Sequence, residues 1–231
     1  MKLNIRQTLH IFDERPEQAR GHITALVSML GEELNAALFA HYLTHERSAQ
    51  VRILADPVVP GTRNGNRLDR WIMADQPEVR RAYQCEIKNW SSWAIGGKTL
   101  RVGASTEEVL DVATYHYRRE MNSNLTPSDV PSRVLKALLP MKLPEEAKGR
   151  EIAPCVIYWM PFAPTEPDMP YFAIPVHELH VEFDTPFQNG LLHFFSASLY
   201  LRSILSRGTG TIEIDLPLLN AREHIISSLF V

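Results

Sequence analysis

The chain has 231 residues, 45% of them hydrophobic and 22% charged, a composition that is typical of a folded globular protein and excludes a disordered segment. Its 24 basic and 27 acidic side chains give a net charge of −3, which counts against a general polyanion binder. Only two cysteines are present, no apolar run approaches the roughly 18 residues of a membrane span, and no secretion signal is evident, so we expect a cytoplasmic protein with no membrane partner.

Hydrophobic periodicity and residue propensity predict a regular front half. The predicted elements are, in chain order, a long helix near 22–45, a short strand at 51–54, two strands at 68–73 and 82–90 joined by a hairpin turn at 75–78, and a helix that a Ser-x-x-Glu capping box opens at Ser105 and that runs to about Met121. The front half therefore reads as a helix, three strands and a second helix.

The back half is richer in breakers, since twelve of the 16 prolines follow residue 126. The predicted elements are a short helix at 131–139, a buried strand at 152–159, a half-exposed strand at 179–184, an apolar segment at 191–205, a strand at 211–215 and a terminal helix at 217–230. For the apolar segment the alternatives are helix and strand, and a nearby Arg202 and Gly208 favour helix.

One constellation of charged residues carries chemistry. Asp69 is followed seventeen residues later by Glu86-Ile87-Lys88, each on a predicted strand of one hairpin. Because strand side chains alternate faces, Glu86 and Lys88 share a face opposite the apolar one. Two carboxylates from adjacent strands suit a hard cation such as Mg²⁺, and the ammonium can stabilise charge on a phosphate.

This arrangement resembles the PD-(D/E)XK nuclease superfamily, in which a helix bears a Glu, the second core strand an Asp and the third a Glu/Asp-x-Lys. Here Glu33 (or Glu32), Asp69 and Glu86-Ile87-Lys88 match that pattern, over roughly residues 22–160. Asp69 follows Leu68 rather than the proline of the family name. The resemblance implies an α/β restriction-endonuclease-like fold, an αβββαβ core whose central mixed sheet is flanked by helices. Residues 1–126 would hold the catalytic motifs, and 127–231 the rest of the core sheet with a Pro-rich C-terminal elaboration.

The function that the resemblance implies is hydrolysis of DNA phosphodiesters with Mg²⁺, for which Mn²⁺ can substitute. Asp69, Glu86 and the Ile87 carbonyl would hold the metal, and Lys88 would position or activate water. Glu33 would orient a water or a second metal. A homodimer is one arrangement by which such an enzyme reaches both strands of a duplex.

Further residues are candidates for substrate binding. Gln84 shares the predicted face of Glu86, and the alternatives for it are a contact with phosphate and a purely structural role. Arg118 and Arg119 lie on the polar side of the capped helix, and the alternatives for them are binding of backbone phosphates and a solvated helix face. From Arg63 to Arg101, eight basic side chains outnumber four acidic ones, so this segment carries +4 and the rest of the chain −7. This local excess of positive charge predicts that nucleic acid binds at the segment from Arg63 to Arg101.

Alternatives remain open. Helical spacing favours Glu33 over Glu32, because positions three, four and seven residues beyond Glu33 are all alanine, a small-residue stripe suited to packing on a sheet. A non-catalytic assembly module that retains the nuclease fold is a second hypothesis, motivated by the net acidity and the apolar back half. A third is a small-molecule enzyme in which Asp69 and Glu86 lie too far apart to share an ion.

Overall fold

A computed structural model of the chain describes residues 1–13, 20–54, 68–88, 134–159, 169–179 and 184–216. The helices in these ranges are α1 (Ile5–Asp13), α2 (Arg20–Arg47) and α3 (Ala197–Ser206). The strands are β1 (Lys2–Asn4), β2 (Gln50–Ile53), β3 (Arg70–Asp75), β4 (Arg80–Lys88), β5 (Glu151–Tyr158), β6 (Tyr171–Pro175), β7 (Leu191–Ser196) and β8 (Thr211–Glu213). Short 3-10 helices span Val134–Leu138, Glu145–Ala147 and Val176–Glu178. None of the described helices is long and apolar enough to cross a bilayer.

Six of the strands form one mixed sheet in the order β2-β3-β4-β5-β7-β6. Strands β2, β3 and β4 pair antiparallel, β4, β5 and β7 pair parallel, and β6 closes the edge antiparallel to β7. Strands β1 and β8 form a separate antiparallel pair. The prediction of a mixed α/β chain with a central mixed sheet flanked by helices is confirmed, and the sheet draws strands from both 1–126 and 127–231.

The sheet has two faces that differ in character, and α2 packs on one of them. On this helix face the Phe39 ring of α2 meets the Tyr83 ring of β4 edge-on, with centroids 5.1 Å apart. Phe39, Leu38 and Leu43 are buried there, and each such side chain contributes about 1.5–3 kcal/mol by leaving water. Burial of the C-terminal half of α2 therefore fixes this helix on the sheet.

The opposite face, here called the Glu86 face, is covered by the chain from 134 to 147. Trp71 and Met73 of β3 and Ala82 of β4 form a second buried cluster with Met141 and Ala147. Strand alternation places Gln84 and Glu86 on this same face, as the sequence predicts, and both are buried. The face thus combines an apolar cluster with two buried polar side chains.

Two thiols lie side by side within the sheet. Cys85 of β4 and Cys155 of β5 occupy paired positions in the parallel ladder, and neither is exposed. Both are free cysteines. Burial raises the pKa of the Cys85 thiol well above its usual value, because an apolar environment disfavours the thiolate.

The predicted front strands and their hairpin turn are confirmed within two residues, and the long helix extends to Arg20–Arg47. The helical preference for 191–205 is wrong for its first part, which forms β7 before α3 begins. Ser196 makes the transition, because its hydroxyl accepts the Leu199 N–H at 3.3 Å and caps the helix. The short helix at 131–139 is a 3-10 helix at Val134–Leu138. The predicted helices at 105–121 and 217–230, and residues 180–183 of the predicted strand at 179–184, lie outside the described residues.

Candidate functional site

Asp69 stands immediately before β3, beside the end of β4. Its backbone N–H donates to the Cys85 carbonyl at 3.1 Å, and its Oδ2 accepts the Ile87 N–H at 2.6 Å. The Asp69 carboxylate therefore lies against the backbone between Glu86 and Lys88. The two strands bring together the motif residues that the sequence separates by seventeen positions.

Glu86 is the most deeply buried carboxylate of this site, with 2% of its side chain exposed. Its Oε1 accepts a hydrogen bond from Lys88 Nζ at 2.5 Å, and its Oε2 lies 3.4 Å from Lys136 Nζ. Burial raises the pKa of Glu86, and the negative charge of Asp69 raises it further, whereas the two lysines lower it. The balance leaves the pKa above its usual value.

We call Glu86, Lys88 and Lys136 the Glu86 cluster. Its two contacts differ in kind, because charge-assisted N–H···O bonds are usually about 2.7–2.9 Å long. Lys88 makes a close hydrogen bond, whereas Lys136 attracts Glu86 from 3.4 Å without one. Within the described part of the chain, the buried Oε2 accepts no hydrogen bond. This oxygen is chemically suited to accept a cation.

The donor set can be compared with the needs of particular metals. Zinc sites use three or four protein ligands, and in the described part of the chain no group of three or more His, Cys, Asp or Glu side chains is arranged to hold an ion. Asp69, immediately before β3, and Glu86, on the neighbouring strand β4, supply two carboxylates, and Mg²⁺ is typically held by one or two carboxylates with water completing its shell. The residues present thus fit Mg²⁺ better than zinc.

Glu33 reaches the same region from α2 through an arginine. Arg70 Nη2 donates to Glu33 Oε1 at 2.8 Å, while Nη1 lies 2.9 Å from Glu32 Oε1 and donates to the Asp69 carbonyl at 2.6 Å. Glu33 is buried and Glu32 partly exposed, so Glu33 is the inward-facing acid of the two. We call Arg70, Glu32 and Glu33 the Arg70 cluster. It lies on the helix face and connects Glu33 to the backbone of Asp69.

The side-chain nitrogen of Gln84 makes two hydrogen bonds to the neighbouring backbone. Its Nε2 donates to the Ala137 carbonyl at 2.8 Å and to the Leu139 carbonyl at 2.7 Å. These bonds anchor the 3-10 helix at Val134–Leu138 to the Glu86 face. A contact of Gln84 with phosphate stays a prediction, as do those of Arg118 and Arg119, which lie outside the described residues.

The basic segment from Arg63 to Arg101 is half described, and the cations in that half are paired. The ion pairs are Arg70 with Glu32 and Glu33, Arg80 with Asp75, Arg81 with Glu151, and Lys88 with Glu86. The other four basic residues of the segment lie outside the described ranges. Among the described residues, carboxylates from outside the segment therefore offset only the charges of Arg70 and Arg81. Arg80 and Lys88 pair with acids of the segment itself.

Two residues of the site were not singled out from the sequence. Arg70 is part of the basic segment, but nothing in the local pattern shows that it contacts α2. Lys136 sits in a segment predicted only as a short helix, 48 positions after Lys88. Its approach to Glu86 depends on how the Val134–Leu138 helix packs, so no local signal reveals it.

Comparison with known proteins adds no family to this description. No protein-family model matches the chain, and no curated protein or solved structure shows a significant match to it. Its function is therefore argued from the site itself.

Proposed function

We propose that this protein is a Mg²⁺-dependent nuclease that hydrolyses phosphodiester bonds of DNA. The observation that carries the proposal is the 2.6 Å hydrogen bond from the Ile87 N–H to Asp69 Oδ2, which holds the Asp69 carboxylate against the Glu86-Ile87-Lys88 segment. The strand pairing gives further support. Antiparallel β2–β3–β4 followed by parallel β5 agrees with the αβββαβ core that the resemblance implies, although the helix expected between β4 and β5 lies outside the described residues.

In this proposal each residue has a distinct task. Asp69 and Glu86, with the Ile87 carbonyl, hold Mg²⁺, which supplies Lewis-acid polarisation of a phosphate oxygen when it is bound. Lys88 releases Glu86 Oε1 and stabilises the negative charge that develops on the phosphate as water attacks. The role expected of Glu33, to orient a water or a second metal, stays a prediction. Its described contact is with Arg70, whose hydrogen bond to the Asp69 carbonyl holds Asp69 in place.

The test is cleavage of supercoiled plasmid by the purified protein in Mg²⁺ or Mn²⁺. We expect nicking by the wild type, and a loss of at least about 100-fold in Lys88→Ala, the scale of removing one preorganised charge-stabilising group. Lys142→Ala is the matched control, because Lys142 is an exposed lysine outside the Glu86 cluster. Absence of cleavage of both DNA and RNA by a folded wild type that binds no divalent ion would contradict the proposal.

A second candidate function is a non-catalytic assembly module that retains this architecture. The observation in its favour is that the buried Glu86 carboxylate already faces two ammonium groups and needs no metal for neutrality. Calorimetry with Mn²⁺ separates the two candidates. A binding isotherm that Asp69→Asn abolishes favours the nuclease, whereas absence of binding in wild type favours the module.

A further inference from the structure

Hydrogen bonds and burial hold the backbone of the segment that carries Lys136 beside the candidate site. The 3-10 helix Val134–Leu138 receives the Gln84 side chain at the Ala137 and Leu139 carbonyls. The Leu138 carbonyl accepts a further hydrogen bond from Thr185 Oγ1 at 2.7 Å. Ala137 and Leu138 are fully buried, so the position of the Lys136 backbone is set by packing from both sides.

The side chain of Lys136 has more freedom than its backbone. Its ammonium lies 3.4 Å from Glu86 Oε2, beyond the length of a close charged hydrogen bond. The side chains of Lys136 and Lys88 are 13% and 15% exposed, against 2% for Glu86. Both lysine side chains therefore keep some access to solvent, whereas the carboxylate has almost none, and the flexible lysine stem allows the ammonium group to move.

The charges of the Glu86 cluster do not cancel. Two ammonium groups and one carboxylate leave one positive charge, and Asp69 alongside balances it. A divalent cation held by Asp69 and Glu86 would leave both lysines without their carboxylate partner. Each would then be available to a phosphate, an anion with several acceptor oxygens that lysine binds as a point charge.

We propose that Lys136 is an exchangeable counter-ion of the candidate active site, which neutralises Glu86 in the metal-free protein and binds the substrate phosphodiester once a divalent cation takes its place. The inference rests on the proposed nuclease function and adds a residue outside the Asp69, Glu86 and Lys88 pattern. It makes Lys136 a competitor of the metal and a ligand of the nucleic acid. Removal of its charge therefore changes the two affinities in opposite directions.

The experiment compares Lys136→Met with Lys142→Met, which removes an exposed lysine six positions further along the chain. Calorimetry with Mn²⁺ is expected to show about fivefold tighter binding to Lys136→Met, because one repelling charge is gone and Glu86 Oε2 is freed. Anisotropy with a labelled DNA duplex in Ca²⁺ is expected to show about fivefold weaker binding, and a plot of log affinity against log salt that is shallower by about one. Lys142→Met is expected to match wild type in metal affinity.

Lys136→Arg keeps the charge and is expected to retain the salt slope of the wild type. If Lys136→Met unfolds, Lys136→Gln provides the neutral variant, with thermal melting as the check on folding. Wild type that binds Mn²⁺ and cuts DNA, beside a folded Lys136→Met with unchanged metal and DNA affinities, would overturn the role of Lys136 alone. Wild type that binds no Mn²⁺ would overturn the nuclease proposal and the Lys136 role together.

Discussion

The two faces of the hairpin β3–β4 each bury a glutamate, and they neutralise it in different ways. On the helix face, Glu33 is held by Arg70, whose guanidinium also contacts Glu32 and the Asp69 carbonyl at 2.6–2.9 Å. On the Glu86 face, Glu86 has one close lysine and one at 3.4 Å. The planar arginine makes several directed bonds from one group, whereas each lysine supplies a compact charge on a flexible stem.

This difference separates a stabilising cluster from an exchangeable one. Arg70 fastens α2 to the start of β3, and loss of Arg70 leaves the buried Glu33 carboxylate without this compensating charge. The lysines of the Glu86 cluster can turn toward solvent when their partner is lost, because both side chains are partly exposed. The comparison predicts that stability depends on the helix face and ion binding on the Glu86 face.

The largest expected effect is that of Arg70→Met. It strands the buried Glu33 carboxylate, and breaking a buried ion pair in this way costs about 3–5 kcal/mol. Urea unfolding followed by circular dichroism measures the free energy of unfolding. Arg80→Met is the matched control, because Arg80 pairs with Asp75 at the surface and its loss is expected to cost less than about 1 kcal/mol. Equal effects of the two variants would break the comparison.

The next effect is a pH dependence from His193, a buried residue of β7 whose Nδ1 lies 2.7 Å from the Tyr171 hydroxyl. Burial, with a smaller effect of the Arg81 charge, lowers the pKa of His193 from 6.5 to about 4. The unfolded chain therefore binds a proton that the folded protein does not. The stability that His193 contributes is fully present above pH 6.5. It falls by at most roughly 3 kcal/mol as the pH drops from 6.5 to about 4, and it does not change further below pH 4.

Urea midpoints measured between pH 7 and pH 4 test this pH dependence. His193→Gln is expected to make the profile less steep over that range, whatever its own stability at pH 7. His41, whose pKa burial also lowers to about 4, contributes to the slope that remains. His177→Gln, at an exposed histidine, is expected to leave the slope unchanged. A slope that His193→Gln leaves intact would show that other groups cause the pH dependence.

A smaller effect is expected from Gln84→Leu on the Glu86 face. The variant leaves the buried Ala137 carbonyl and the Leu139 carbonyl without their donor, which costs about 1–3 kcal/mol. It also loosens the segment that carries Lys136, so limited trypsin digestion is expected to cut there sooner. Gln76→Leu, which removes an exposed side-chain hydrogen bond to the Arg47 carbonyl, is the control and is expected to change stability by less than about 0.5 kcal/mol.

The smallest stability effect is expected from Glu86→Gln. Burial raises the pKa of Glu86, so the charged form is costly in the folded state, and the released lysines can reach water. We expect a change in the free energy of unfolding of less than about 1 kcal/mol. Under the proposed function, Mn²⁺ is expected to raise the melting temperature of the wild type and not that of this variant. Destabilisation as large as that of Arg70→Met would contradict the exchangeable character of this cluster.

Much of the hairpin was accessible to sequence reasoning. Strand alternation separates Cys85 from Glu86 without knowledge of the fold, and the turn at 75–78 follows from its composition. The apolar run at 191–205 was harder, because β7 is buried almost throughout and shows no period that distinguishes strand from helix. Strand β1 and helix α1 are not among the predicted elements, although the spacing of Ile5, Leu9 and Phe12 is helical.

The residues of the candidate site also differ in how far the sequence predicts their contacts. Asp69, Glu86 and Lys88 share one hairpin, so their spacing in the sequence suffices to predict that they meet. Arg70 and Lys136 gain their roles from contacts with α2 and the Val134–Leu138 helix, which depend on tertiary packing. Sequence therefore predicts the short-range part of the site, whereas its ion pairs across elements are visible only in the folded chain.

The rate at which the buried thiols of Cys85 and Cys155 react with a reagent measures how often the core of the protein opens. They are the chain's only cysteines and lie where β4 and β5 join the two halves of the sheet. Both side chains belong to the core on the helix face, so a thiol reagent reaches them when this packing opens, and the rate of labelling at a given pH reports how often that happens. Binding of Mn²⁺ or DNA at the proposed site beside the end of β4 is expected to slow this labelling if it restrains the core, which can be followed in the wild-type protein.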